Sequence, residues 1–120
     1  MGDRDSRPAV DSSVLDNMCE GDRGLREELV RLYLEESKHQ LRVAKDAVSD
    51  ADHEELRLAA YNMWQSAKTT GAPTLADVCR QLQRAAGRGN AEEASALLAA
   101  VSAEFERVKE AHSRPPNTPS

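Results

Sequence analysis

Few side chains in this 120-residue chain are equipped for chemistry. There are three histidines, His39, His53 and His112, and two cysteines, Cys19 and Cys79. None of the histidines lies near a serine and an acid in the pattern of a nucleophilic triad, and no C-x-x-C or His/Cys cluster has metal-ligand spacing. The three histidines read as solvated helix-surface or tail residues, and Ser66 as a packing or surface hydroxyl. Aromatic residues are scarce, at 3% of the chain, which makes the pair Tyr61 and Trp64 conspicuous. They are three positions apart, one helical turn, and are flanked at helical spacing by Arg57, Gln65 and Lys68. Such a face offers two cations, an amide, a phenol and an indole, the residue types of an interaction hot spot rather than of a catalytic centre. The blander reading is that either ring simply tucks against a neighbouring helix.

The elements that would position this face follow from punctuation and periodicity. A short helix over about 12–20 places Val14, Leu15 and Met18 on one side and is closed by Gly21. A long helix over 23–48 carries Leu25, Leu29, Leu32, Tyr33, Leu41, Ala44 and Val48 near the 3.6-residue period. Asp52, with Glu55 three residues on, opens a third helix over 53–70. In it Leu56, Ala59, Ala60, Met63, Ala67 and Thr70 form a narrow inner stripe, and Arg57, Tyr61, Trp64, Gln65 and Lys68 point outward. Gly71 caps it and Pro73 enforces the break. Thr74, with Asp77, is expected to open a fourth helix through about Ala86, with Leu75, Val78, Cys79 and Leu82 inside. Asn90 and Glu93 start a fifth carrying Leu97, Leu98, Val101, Phe105 and Val108. Arg80, Arg84 and Arg88 recur every fourth residue on the fourth helix and read as a solvated face.

No segment reads as a strand. Short connections make neighbouring helices antiparallel, so the fold class is all-α: an up-down four-helix bundle with a short additional N-terminal helix. Residues 11–112 form one domain, and residues 1–10 and 113–120 are expected to be disordered tails. Net charge is -5, from 21 acidic and 16 basic residues of mixed order, and nothing forms the basic stripe that nucleic acid requires. The longest apolar run falls far short of a membrane span, and the amino terminus lacks the apolar core of a signal peptide. No nucleic-acid partner, membrane, metal or cofactor is expected. A reduced, cytoplasmic setting and a monomer are, and Met1 reads as the start of a stand-alone chain.

In order along the chain, LREELVRLYLEES from Leu25, DADHEELRLAA from Asp50, GAPTLADVCRQL from Gly71 and GNAEEASALLAAVSAEFERVKE from Gly89 resemble the histidine-containing phosphotransfer (HPt) domain of two-component phosphorelays. The likeness covers about 10–110. It implies a four-helix bundle whose partners are response-regulator receiver domains and histidine kinases. In the family, the phosphate-accepting histidine is followed by any residue, an apolar one, lysine, glycine and serine, with Gly-Ala ten and eleven positions on. Counting back from Gly71 and Ala72 lands on Tyr61. Met63 and Ser66 keep the pattern, whereas Trp64 stands for the lysine and Gln65 for the glycine. The segment HQLR from His39 mimics the motif's opening, but Val43 and Ala44 follow it and no Gly-Ala comes later.

Each departure bears on chemistry. A neutral imidazole is nucleophilic near pH 7 and its phosphoramidate passes phosphate on. A tyrosine phenol, with pKa about 10, is only about 0.1% ionised there, and its ester is a poor donor. The indole cannot balance phosphoryl charge as lysine does, and Gln65 fills the space that glycine leaves. The expectation is therefore a non-enzymatic, pseudo-phosphotransfer domain with no catalytic residue. It would bind a receiver or other signalling partner through Arg57, Tyr61, Trp64, Gln65, Lys68 and Arg84 and so modulate a phosphorelay. Two alternatives remain open: an active phosphorelay intermediate with a non-standard acceptor, and a structural tethering or dimerisation module.

Overall fold

The computed structural model describes residues 8–113, and the tail expectations for 1–7 and 114–120 lie outside them. Five helices follow one another: α1 Ser12–Cys19, α2 Arg23–Ser49, α3 His53–Thr70, α4 Pro73–Gly87 and α5 Ala91–Ser113. The bundle is all-α, as expected. Four of the helix starts rest on side-chain caps: the carboxylate of Asp11 accepts from Ser13 N–H at 3.1 Å, those of Asp22 and Asp52 accept from the backbone N–H of Leu25 and Glu55, both at 3.0 Å, and the Asn90 amide oxygen accepts from Glu93 N–H at 3.1 Å. The start of α4 is different. Thr74 does not cap it: Ala72 occupies the cap position without a side-chain hydrogen bond, Pro73 is the first helical residue, and Thr74 is buried. Proline suits that place because its missing N–H is one the first turn cannot use.

α3 is the centre of the assembly, packed most extensively on α4 and next on α2, while α5 closes the bundle against α4 and, less extensively, α2. Small residues allow the close approach: Ala44, Ala59, Ala60, Ala67, Ala85 and Ala86 are all buried around Leu56, Leu82, Val101 and Val108. The short helix α1 is pinned to the α3–α4 corner. Asp11 N–H donates to the Gly71 carbonyl at 2.6 Å, and a Cβ built on Gly71 would lie 2.7 Å from the Asp11 carbonyl and 3.0 Å from Val14 Cβ. With φ at +84°, Gly71 both caps α3 and admits α1.

Two inner stripes differ from the periodic reading. In α2 the buried residues are Tyr33, Ser37, Leu41, Ala44 and Ala47, while Leu29 and Val48 are half-buried and Leu25 and Leu32 are exposed at 44% and 47%. The inner stripe of the first turns runs through the half-buried Arg26 and Val30 to the buried Tyr33, and Leu25 and Leu32 each stand one position to its side; α1 packs on these turns, with Asp16 paired to Arg26 at 2.8 Å. In α1, Cys19 takes the inner place expected for Met18, which is 47% exposed. The domain also reaches slightly further than its sequence boundaries: Ala9 is buried, Val10 packs on the core and Ser113 completes α5.

Candidate functional site

The outer face of α3 is less simply exposed than its sequence implies. Gln65 and Lys68 are exposed, but Arg57, Tyr61 and Trp64 are half-buried, and Trp64 packs against the edge of the core. The wheel position of Trp64 explains this, since it borders the inner stripe on the side covered by α4. The Tyr61 and Trp64 rings meet at 5.7 Å between centroids, tilted by 41°. Two cations approach the indole: Lys68 Nζ, one turn on, at 4.7 Å from the ring centroid, and Arg80 Cζ, from α4, at 4.6 Å. Both distances are within the range at which a cation gains from an aromatic quadrupole.

Arg80 was expected on a solvated face and instead completes the cluster, which makes it the α4 residue of this site. Arg84, the α4 cation chosen from sequence, is exposed in the last turn of its helix. Arg57 lies toward the other end of the face. It is bridged to Glu54 through Nε at 3.1 Å and a terminal nitrogen at 2.6 Å, and its aliphatic stem runs beside Gly87 near the end of α4. That pairing holds the Glu54 carboxyl below its ordinary range. Leu58, three residues before Tyr61 and 44% exposed, adds an apolar element that the sequence reading left out. Only its i,i+3 relation to Tyr61 could have found it.

Among the described residues, no side chain hydrogen-bonds the Tyr61 hydroxyl, so no base is set to activate it. The remaining candidates for chemistry lie elsewhere. His39 is exposed on α2, and His53 is the first residue of α3, about 12 Å along the axis from Tyr61. His112 is half-buried near the end of α5, its ring edge-on to Tyr33 at 6.2 Å between centroids. Burial, with Arg26 adding to it, lowers the His112 pKa. Burial also pushes the Cys79 thiol up to about 12. Among the described residues no cluster of His, Cys, Asp or Glu is placed to hold a metal ion, and no helix is long and apolar enough to cross a membrane.

Comparison with protein families matches residues 28–111 to the Hpt domain. The chain belongs to the Hpt domain family. The matched span contains most of α2, all of α3 and α4 and nearly all of α5, and so includes the Tyr61 and Trp64 face. Among solved structures, the histidine-containing phosphotransfer protein B (HptB) of Pseudomonas aeruginosa PAO1 is similar over 90% of this chain and 98% of its own, with 26% identity and a TM-score of 0.78. Comparison with curated proteins gave no significant match. This Hpt domain is thus a phosphotransfer module of the two-component phosphorelay, of a family whose members meet receiver domains and kinases.

Proposed function

We propose that this Hpt domain is a pseudo-phosphotransfer protein: it keeps the bundle and the docking face of its family, lacks the phosphate acceptor, and modulates a phosphorelay by binding a receiver domain. The observation that supports this reading most is the Tyr61–Trp64 ring pair, which occupies the acceptor and lysine positions of the family's motif. A phenol packed on an indole, with no base against it, is a poor phosphoryl acceptor and a worse donor. The same rings are good contact area. Burying about 150 to 250 Å² per ring at about 25 cal/mol/Å² gives a gross gain of several kcal/mol, of which association costs remove much. A moderate, reversible complex results.

Leu58 extends the apolar part of the face, and Arg57, Lys68 and Arg80 supply a charged rim for the carboxylates at a receiver's phosphorylation site. Calorimetric titration of receiver domains into wild type and Trp64→Ala tests the reading. A receiver that binds wild type with a micromolar constant and loses about tenfold or more against the variant supports it. Equal affinity for both proteins contradicts it.

Family membership itself favours a second reading, a phosphorelay intermediate with a non-standard acceptor. On that reading Tyr61 or Ser66 takes up label from a phosphorylated receiver as an acid-stable ester, and a displaced histidine takes it up as an acid-labile phosphoramidate.

A further inference from the structure

The Lys68 ammonium and the Arg80 guanidinium lie against one indole, 4.7 and 4.6 Å from its centroid. This places two positive charges from two different helices at the ring that stands in the motif's lysine position, in a protein whose formal net charge is -5. An indole has no charge of its own, but its face holds cations where they remain hydrated and available, through a contact weak enough to be exchanged for an incoming anion. Arg57 is a contrast, since its guanidinium is already committed to Glu54 on the same helix. Lys68 is exposed and Arg80 half-buried, so both can turn from the ring to an incoming anion without unfolding any element.

Resting on the binding function proposed above, the geometry points to a regulatory preference: Trp64 is a positioning residue that presents Lys68 and Arg80, and the face binds a receiver more tightly when the receiver carries its phosphoryl group. A carboxylate converted to an acyl phosphate gains about one negative charge and three acceptor oxygens. Two cations held within reach can answer that charge, and with no nucleophile activated at Tyr61 the phosphoryl group stays on the receiver. The domain then sequesters the phosphorylated form. Exposed ion pairs are individually weak, so the combined preference is about fivefold and fades as salt shortens the screening length below about 8 Å.

The test is calorimetry of one receiver, free and loaded with beryllofluoride as phosphoryl mimic, against wild type, Trp64→Ala and the double variant Lys68→Gln/Arg80→Gln, whose helicity is checked by circular dichroism. The expected result is tighter binding of the loaded receiver to wild type by about fivefold; Lys68→Gln/Arg80→Gln weakens both forms, the loaded one by about fivefold more, so that the preference is lost, and Trp64→Ala reduces it. Equal binding of both receiver forms to wild type overturns the preference and leaves the binding function standing. A preference that survives in the double variant also overturns it, because the discrimination then comes from the receiver's own rearrangement. Failure of both receiver forms to bind wild type overturns the preference and the binding function together.

Discussion

Replacing Gly71 by alanine tests how α1 and the α3–α4 corner are held together. Gly71 has φ +84°, and its new Cβ would stand 2.7 Å from the Asp11 carbonyl oxygen and 3.0 to 3.1 Å from two atoms of Val14. Left-handed backbone costs an alanine about 1 kcal/mol more than a glycine. The oxygen contact is with backbone, so α1 must move, which weakens the 2.6 Å bond from Asp11 N–H to the Gly71 carbonyl, worth about 1 kcal/mol, and loosens the Val14 packing. Alanine recovers about 0.5 kcal/mol by restricting the unfolded chain. The net loss is about 2 to 3 kcal/mol, or about 10 to 20 °C in Tm for a domain of this size. Gly21→Ala is the control, because Gly21 has φ +82° with nothing within 4 Å of its would-be Cβ, so only the conformational cost of about 1 kcal/mol applies, less the same recovery of about 0.5 kcal/mol. Urea unfolding followed by circular dichroism and by Trp64 fluorescence measures both. Equal losses in the two variants would refute the crowding argument.

Three further outcomes follow from the burial of titratable groups and from the motif. Cys79, buried with its thiol pushed up to about 12, should resist alkylation at pH 8 until the domain is unfolded in denaturant, when it reacts as an ordinary thiol; rapid native labelling at Cys79, read by mass spectrometry, would contradict this. Because burial and Arg26 lower the His112 pKa in the folded state, the unfolded chain binds more protons below about pH 6.5. Stability is therefore full above that pH and falls as pH drops toward the folded value, a slope that His112→Gln should flatten in unfolding curves taken from pH 7.5 to 5. Tyr61→His alone should not give efficient phosphoryl transfer, since Trp64 and Gln65 still deny it charge balance and room; efficient transfer by that single variant would show that these flanking positions matter less than argued.

Legibility in the sequence varied with the strength of the local signal. Capped helices were readable to within a residue, as at Asp52 and Asn90, because an acceptor side chain at the cap answers an unpaired N–H locally and an acid in the first turn suits the helix dipole. The fourth helix was capped two residues late, at Thr74 in place of Ala72, since Pro73 serves as a first helical residue as readily as a breaker. Periodicity chose the right inner stripe where a helix has partners along its whole length, as in α3 and α4. It failed in the first turns of α2, where the inner stripe runs through Arg26, Val30 and Tyr33, so that Leu25 and Leu32, one position to its side, face outward although α1 packs on these turns. At the candidate site, the face of α3 was legible from one helix alone. Arg80 was not, because its position against Trp64 depends on the lateral placement of α4, which no one-dimensional pattern encodes.

The central claim, that the Tyr61 and Trp64 face binds without accepting phosphate, is tested most directly by following radiolabelled phosphoryl from phosphorylated receivers onto this chain. Wild type should remain unlabelled across the receivers it binds, whereas a variant with Tyr61→His, Trp64→Lys and Gln65→Gly, which restores the full motif, should take up an acid-labile label. Label on the wild-type chain at Tyr61, Ser66 or any histidine, at a rate matching the restored variant, would contradict the account.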